Sequence, residues 1–172
     1  MANKNEKPHI EVVNIRGISI HPQASEAFLF SQNLIAQANT KKLPNSVLNL
    51  PNFEIPFGFM RNNRIQVFAN WRALLVDSYH DDTIPVVIFN SRLSNEVAYQ
   101  AWLYVLSQFS FSVHKKFLLK HLHEFLEGCP TEILKRMFSE HSVNISDVSF
   151  SELFNVNRSS FRHAKQLAEY HD

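Results

Sequence analysis

The hydrophobic pattern of this chain changes period once, and that switch fixes the fold class. Up to about residue 90, short β-branched runs alternate with helical stretches; from Asn95 onward apolar residues recur at helical spacing almost to the end. The pattern predicts an α+β protein, with a small mixed α/β domain over residues 8–110 followed by an all-helical domain over 111–172. Fifteen Phe and only three Gly among 172 residues fit a packed, helix-rich interior.

Within the first part, Glu11 to Ile20 carries Val12, Val13, Ile15, Ile18 and Ile20, a strand broken near Gly17 and ended by His21-Pro22. Ser25 to Ala38 has the one-sided apolar spacing of a helix, with Ser25 as its cap. Pro44, Pro51 and Pro56 forbid a long helix between Lys41 and Phe57 and leave extended pieces such as Ser46 to Leu50. Arg61-Asn-Asn-Arg64 reads as a turn. Ile65 to Phe68 is then a strand running directly into a helix at Asn70 to Tyr79, and Asp81-Asp82-Thr83 leads to a buried strand, Ile84 to Phe89. Helices are expected at Glu96–Gln108, Val113–Leu126 and Thr131–Glu140, with the domain boundary at 107–112, where Ser107, Ser110 and Ser112 interrupt the apolar pattern.

The last stretch, residues 150–166, reads as a helix-turn-helix lying near 149–168. Phe150, Phe154, Val156, Phe161 and Ala164 supply the contacts two short helices need when they cross steeply, and Asn155 suits the left-handed bend. Asn157 or Ser159 can cap the second helix. Its outer face would carry Asn157, Arg158, Ser159, Arg162, His163 and Gln166, side chains that reach base edges or phosphates of double-stranded DNA. The plainer reading is a helical hairpin closing a core.

Charge narrows the partners. The formal net charge is +1, so attraction to nucleic acid must come from local patches. Lys115, Lys116, Lys120, Lys135 and Arg136 form basic groupings, but they alternate with Glu124, Glu127, Glu132 and Glu140 and read as a solvated amphipathic surface. A lone Cys129 offers neither an internal disulfide nor a thiolate cluster, and it suits a reducing cytoplasm, where it acts as a small apolar filler beside Gly128 and Pro130. The leader, Met1 to Lys7, is polar and expected to be loosely held. It has no apolar signal core, and no run reaches the roughly 18 apolar residues of a membrane span. Among nine histidines, His114, His121 and His123 share one segment. No Asp, Glu or Cys stands at a convincing ligand spacing, so no metal site is expected and these read as solvated helix residues. Asp77, Asp81 and Asp82 could hold a divalent ion, or simply form a turn.

The segment Ile65-Gln-Val-Phe-Ala-Asn-Trp-Arg72 with Ile84-Pro-Val86 resembles the core of the ParB/sulfiredoxin-like fold, in which a strand enters a helix through a Gly-Glu-Arg-Arg type motif and a strand beginning Ile-Pro-Val follows. Ile18-Ser-Ile-His-Pro22 is similar to that family's first strand and its proline-bearing exit. A helix-turn-helix after such a core is the family's usual order. The resemblance implies nucleotide-binding positions at Ala69, Asn70 and Arg72, where a triphosphate such as CTP would meet a helix N-terminus. Only Arg72 matches the motif in kind, Trp71 replaces another arginine, and the expectation is no bound cofactor. Sulfiredoxins place a nucleophilic Cys where this chain has Asn70, which excludes a thiolate mechanism at that turn. Arg72 otherwise reads as a helix-surface residue paired with Asp77 or a carbonyl.

Together these features predict a cytoplasmic, bacterial, ParB-like protein that binds specific DNA sequences, a transcriptional regulator or a plasmid or mobile-element maintenance factor. Specific binding would normally need a homodimer. An enzyme is the less favoured reading: a nuclease or nucleotide hydrolase of the same fold, using Arg72 with Asp77, Asp81 or Asp82. A protein-interaction module without DNA binding is the remaining alternative.

Overall fold

The computed structural model describes residues 7–37, 54–75, 82–89, 96–112, 115–139 and 159. The extended pieces expected at 46–50, most of the leader, the end of the helix expected to reach Tyr79, and the terminal helix pair except Ser159 lie outside these residues. The architecture is α+β, in two compact units, Met1–Val105 and Leu106–Asp172. The division falls inside one continuous helix, Val97–Ser112, which the serines at 107, 110 and 112 do not interrupt.

In the first unit, β1 (His9–Asn14) passes through a 3-10 turn (Ile15–Gly17) into β2 (Ile18–Ile20). A second 3-10 turn (Pro22–Ala24) leads to α1 (Ser25–Gln37). Then come β3 (Phe57–Arg61), β4 (Arg64–Ala69), the short α2 (Arg72–Leu75), β5 (Thr83–Phe89) and α3 (Val97–Ser112). The five strands form one sheet in the order β1-β5-β3-β4-β2; β1 with β5 and β3 with β4 are antiparallel, and the other two pairs are parallel.

That order dictates curvature. β1 and β2 are the outermost strands, yet a 3-10 turn of 3 residues joins them. In a flat sheet four strand spacings would hold them about 19 Å apart, while a 3-10 turn advances only about 2 Å per residue. The sheet must therefore coil until its two edges approach each other at Ile15–Gly17. The amide of Ile15 donates to the carbonyl of Asp82 at 2.9 Å, fastening the turn to the start of β5.

One face of the sheet presents Ile65, Val67, Ile84, Val86 and Ile88, all buried, and Ala24, Ala27 and Leu34 of the α1 segment and Val97, Ala101, Trp102 and Val105 of α3 are buried too. Phe30 and Trp102 bring α1 and α3 into ring contact at 5.8 Å. The opposite face gathers Phe57, Phe59, Phe68 and Phe89: Phe59 stacks on Phe68 at 4.7 Å, and Phe89 meets both Phe57 (5.2 Å) and Phe68 (5.8 Å) edge-on or nearly so. Such offset and edge-to-face pairs are the geometries aromatic rings favour. On β1 the alternation leaves Ile10 and Val12 largely exposed.

Two local details depart from expectation. The residue pattern predicts no strand at 57–61, but β3 is there and forms a hairpin with β4 through Asn62 and Asn63, whose φ angles of 51° and 58° are left-handed. Asn tolerates that region best among residues with a Cβ, and paired left-handed residues match the twist of a two-residue hairpin. Ser25 does not cap its helix as expected; its hydroxyl donates to the carbonyl of His21 (3.4 Å), while the His21 ring caps the preceding 3-10 turn, its Nδ1 taking the Gln23 amide at 3.2 Å.

In the second unit, α4 (Lys115–Gly128) and α5 (Thr131–Ser139) are separated by Cys129-Pro130. The Pro130 carbonyl accepts the amides of Ile133 (2.9 Å) and Leu134 (3.0 Å), starting α5 where proline's own missing N–H costs nothing. Phe109 packs edge-on against Phe125 at 5.6 Å, and Leu122, Leu134, Met137 and Phe138 are buried with them. No helix among the described residues is long and apolar enough to cross a membrane.

Candidate functional site

The strand-turn-helix joint at 69–72 is built from contacts inside the protein. Ala69, buried, ends β4; Asn70 turns the chain with φ 55°, and its side-chain amide donates to the carbonyl of Ile55 at 3.3 Å. Trp71 has no exposure. Its ring lies edge-on to Phe28 (5.6 Å) and Tyr104 (5.1 Å), and its indole N–H is buried with no hydrogen-bond partner among the described residues. The backbone N–H of Arg72, which opens α2, donates to the Tyr104 hydroxyl at 3.3 Å, and that hydroxyl donates to a carboxylate oxygen of Glu54 at 2.6 Å. The partial positive charge of the helix start therefore leans, through one phenol, on a carboxylate of the same chain. The Arg72 side chain is half-buried. Chemically, this arrangement locks a joint, with Trp71 as the wedge and Tyr104 as the strut.

Of the residues expected to face DNA, Ser159 is helical and exposed. Asn157, Arg158, Arg162, His163 and Gln166 lie outside the described residues, as do Asp77, Asp81 and His114. Asp82 is exposed and uses its carbonyl to hold Ile15.

The histidines of α4 require a correction. They were expected to be solvated, but His121 and His123 are both buried. His121 Nδ1 lies 2.7 Å from Glu124 Oε2, and His123 Nδ1 lies 3.4 Å from Glu127 Oε1, where the angles do not make a hydrogen bond. The helix turns each imidazole inward and lets a glutamate three or four residues later reach it from solvent. No cluster of three or more potential metal ligands occurs among the described residues. Lys120 pairs with Glu124 across 3.6 Å on the exposed side. Cys129 is buried beside Pro130, and burial pushes its thiol up to about 12, so it stays protonated and unreactive.

His21 sits where β2 leaves the sheet. Burial, and then the nearby Arg61 guanidinium, hold its pKa below the usual histidine value, which keeps Nδ1 free to accept the Gln23 amide.

Reading along the chain missed one grouping. Arg61 and Arg64 are direct partners in the β3–β4 ladder, and β2 begins with Ile18 paired to Ile65, so Gly17 and Arg64 come one step before that pair and Arg16 adjoins them. All three arginines are exposed. The available signal was Asn-Asn flanked by arginines, the signature of a two-residue hairpin with its flanks side by side. Comparison of the chain with family models, with curated proteins and with solved structures finds no match.

Proposed function

We propose that the chain is a sequence-specific DNA-binding protein of ParB-like type, a transcriptional regulator or a maintenance factor of a plasmid or mobile element, acting in the cytoplasm as a homodimer. In this reading the second unit is all-helical and ends in a helix-turn-helix near 149–168, whose second helix enters the major groove. The observation that carries it is the residue pattern of 150–166, together with Ser159, which is helical and exposed at the place where the recognition helix should begin. Arg158 and Arg162 would take guanine edges or phosphates, Asn157 and Gln166 would read adenine, and Ser159 and His163 would bind backbone oxygens. The 69–72 joint serves as scaffold, since Trp71 fills it and Tyr104 already occupies the Arg72 amide.

The test is fluorescence anisotropy of the full chain with a pool of genomic duplex fragments, titrated with salt. Salt-sensitive binding is expected, and Arg162→Ala should weaken a selected site by about 1–3 kcal/mol if that guanidinium contacts a base. Absence of binding down to about 50 mM salt, where phosphate contacts are strong, would refute the reading.

A further inference from the structure

We infer that the tip of the β3–β4 hairpin, together with Arg16, is a second contact to the DNA phosphate backbone; the inference rests on the DNA-binding reading above and extends it to a surface of the first unit. The sheet brings together residues far apart in sequence. Arg61 and Arg64 stand directly opposite each other in the ladder, and opposite residues of an antiparallel pair project from the same face with Cβ atoms about 5 Å apart. Arg16 lies two residues before Ile18, whose partner Ile65 follows Arg64, so the turn that carries it is at the same end of the parallel β2–β4 pair. Like charges placed opposite one another weaken a hairpin, so this arrangement is unfavourable for the isolated protein and favourable once an anion bridges the two guanidiniums.

Three further observations point to an anion. None of the three arginines makes an ion pair with a described residue, although the exposed Asp82 holds Ile15, the neighbour of Arg16, through its backbone. The field of Arg61 reaches His21 and disfavours its protonation, so positive potential extends from the tip toward that ring. Asn62 and Asn63 put two amide side chains at the very tip, in left-handed conformations that glycine would adopt with less strain. Amides there add hydrogen-bond donors for phosphate oxygens. A duplex offers a row of such oxygens at the spacing of its backbone, and a narrow two-stranded ribbon bearing arginines is a shape that can lie against it.

The experiment compares salt dependence of binding to a fluorescein-labelled duplex for four full-length proteins: the wild type, Arg16→Gln/Arg61→Gln/Arg64→Gln, the matching triple Lys variant, and Arg158→Ala/Arg162→Ala. Each phosphate contact contributes about 0.9 to the slope of log K against log salt. The triple Gln variant is expected to lower that slope by about 2 and to weaken binding at least tenfold at 100 mM salt, while the triple Lys variant keeps most of both, with thermal melts confirming that all four fold. Wild-type binding with an unchanged slope in the triple Gln variant would overturn the hairpin contact and leave the terminal helix as the reader. No wild-type binding would fell both. Loss of binding to anionic vesicles in the triple Gln variant, with DNA binding intact, would overturn the contact by assigning the cluster to a lipid surface.

Discussion

Asn70 does two things at once: its backbone takes the left-handed turn out of β4, and its side chain secures the carbonyl of Ile55. Asn70→Ala removes the bond and places a Cβ in a region that disfavours it, and should cost about 1–2 kcal/mol in urea unfolding. Asn70→Gly relieves the backbone but not the lost bond, and should recover about half. A loss equal for the two variants would mean that the turn carries no strain. His21 gives a pH signature. Its folded pKa lies below the unfolded value of 6.5, so the unfolded chain binds more protons through that window, and stability is full above about 6.5 and declines as pH falls toward the folded pKa. His21→Gln should flatten this decline, measured by urea midpoints across pH 7 to 5. Arg61→Gln should raise the His21 pKa, followed by NMR of the ring. Both residues show how little a single position reveals in sequence. Asn70 could be foreseen at a turn because asparagine suits one, but the carbonyl it grips lies in a different segment and no local pattern names it.

Among elements, the β3–β4 pair is the most exacting. A Cβ at Gly58 would meet the backbone oxygen of Gln66 and Cγ2 of Ile65, each at 3.0 Å. The Ile65 methyl can yield, but the oxygen belongs to the ladder. Gly58→Ala should therefore destabilise by about 1–3 kcal/mol, seen as a lower thermal midpoint without loss of secondary structure. An unchanged midpoint would show that the strands can part at the Phe57/Gly58 bulge. The elements with strong periodicity were legible in advance: α1, β4, β5 and the three longer helices after residue 96 all lie within a few residues of where the pattern places them. β3 was not, because Pro56 before it and Gly58 inside it read as loop chemistry, whereas the residues that make it a strand, Phe57 and Phe59, obtain their value only from Phe68 and Phe89 across the sheet. The 69–72 joint was legible as a turn into a helix. Its filling was not, since Phe28, Glu54, Ile55 and Tyr104 come from three other segments. His121 and His123 were misplaced for a similar reason: their polarity suggests solvent, whereas α4 turns both rings inward, with Glu124 bonded to one and Glu127 close to the other.

For the whole molecule, the coiled sheet sets the order in which the first unit can become stable. Among the described strands β1 is the first in the sequence, and β5, its ladder partner, is the last. β2 likewise waits for β4, so the local 3-10 connection between β1 and β2 binds two strands that have nothing to pair with until much later. Contacts of such wide separation are slow to form. Nascent chains stalled with β4 but not β5 outside the ribosome should be cut freely by protease within residues 9–20, and release of β5 should confer protection there; early protection would contradict this order. During synthesis, then, β1 emerges with its amides and carbonyls unpaired and stays an open edge until β5 has been translated, the kind of strand that another chain can pair with.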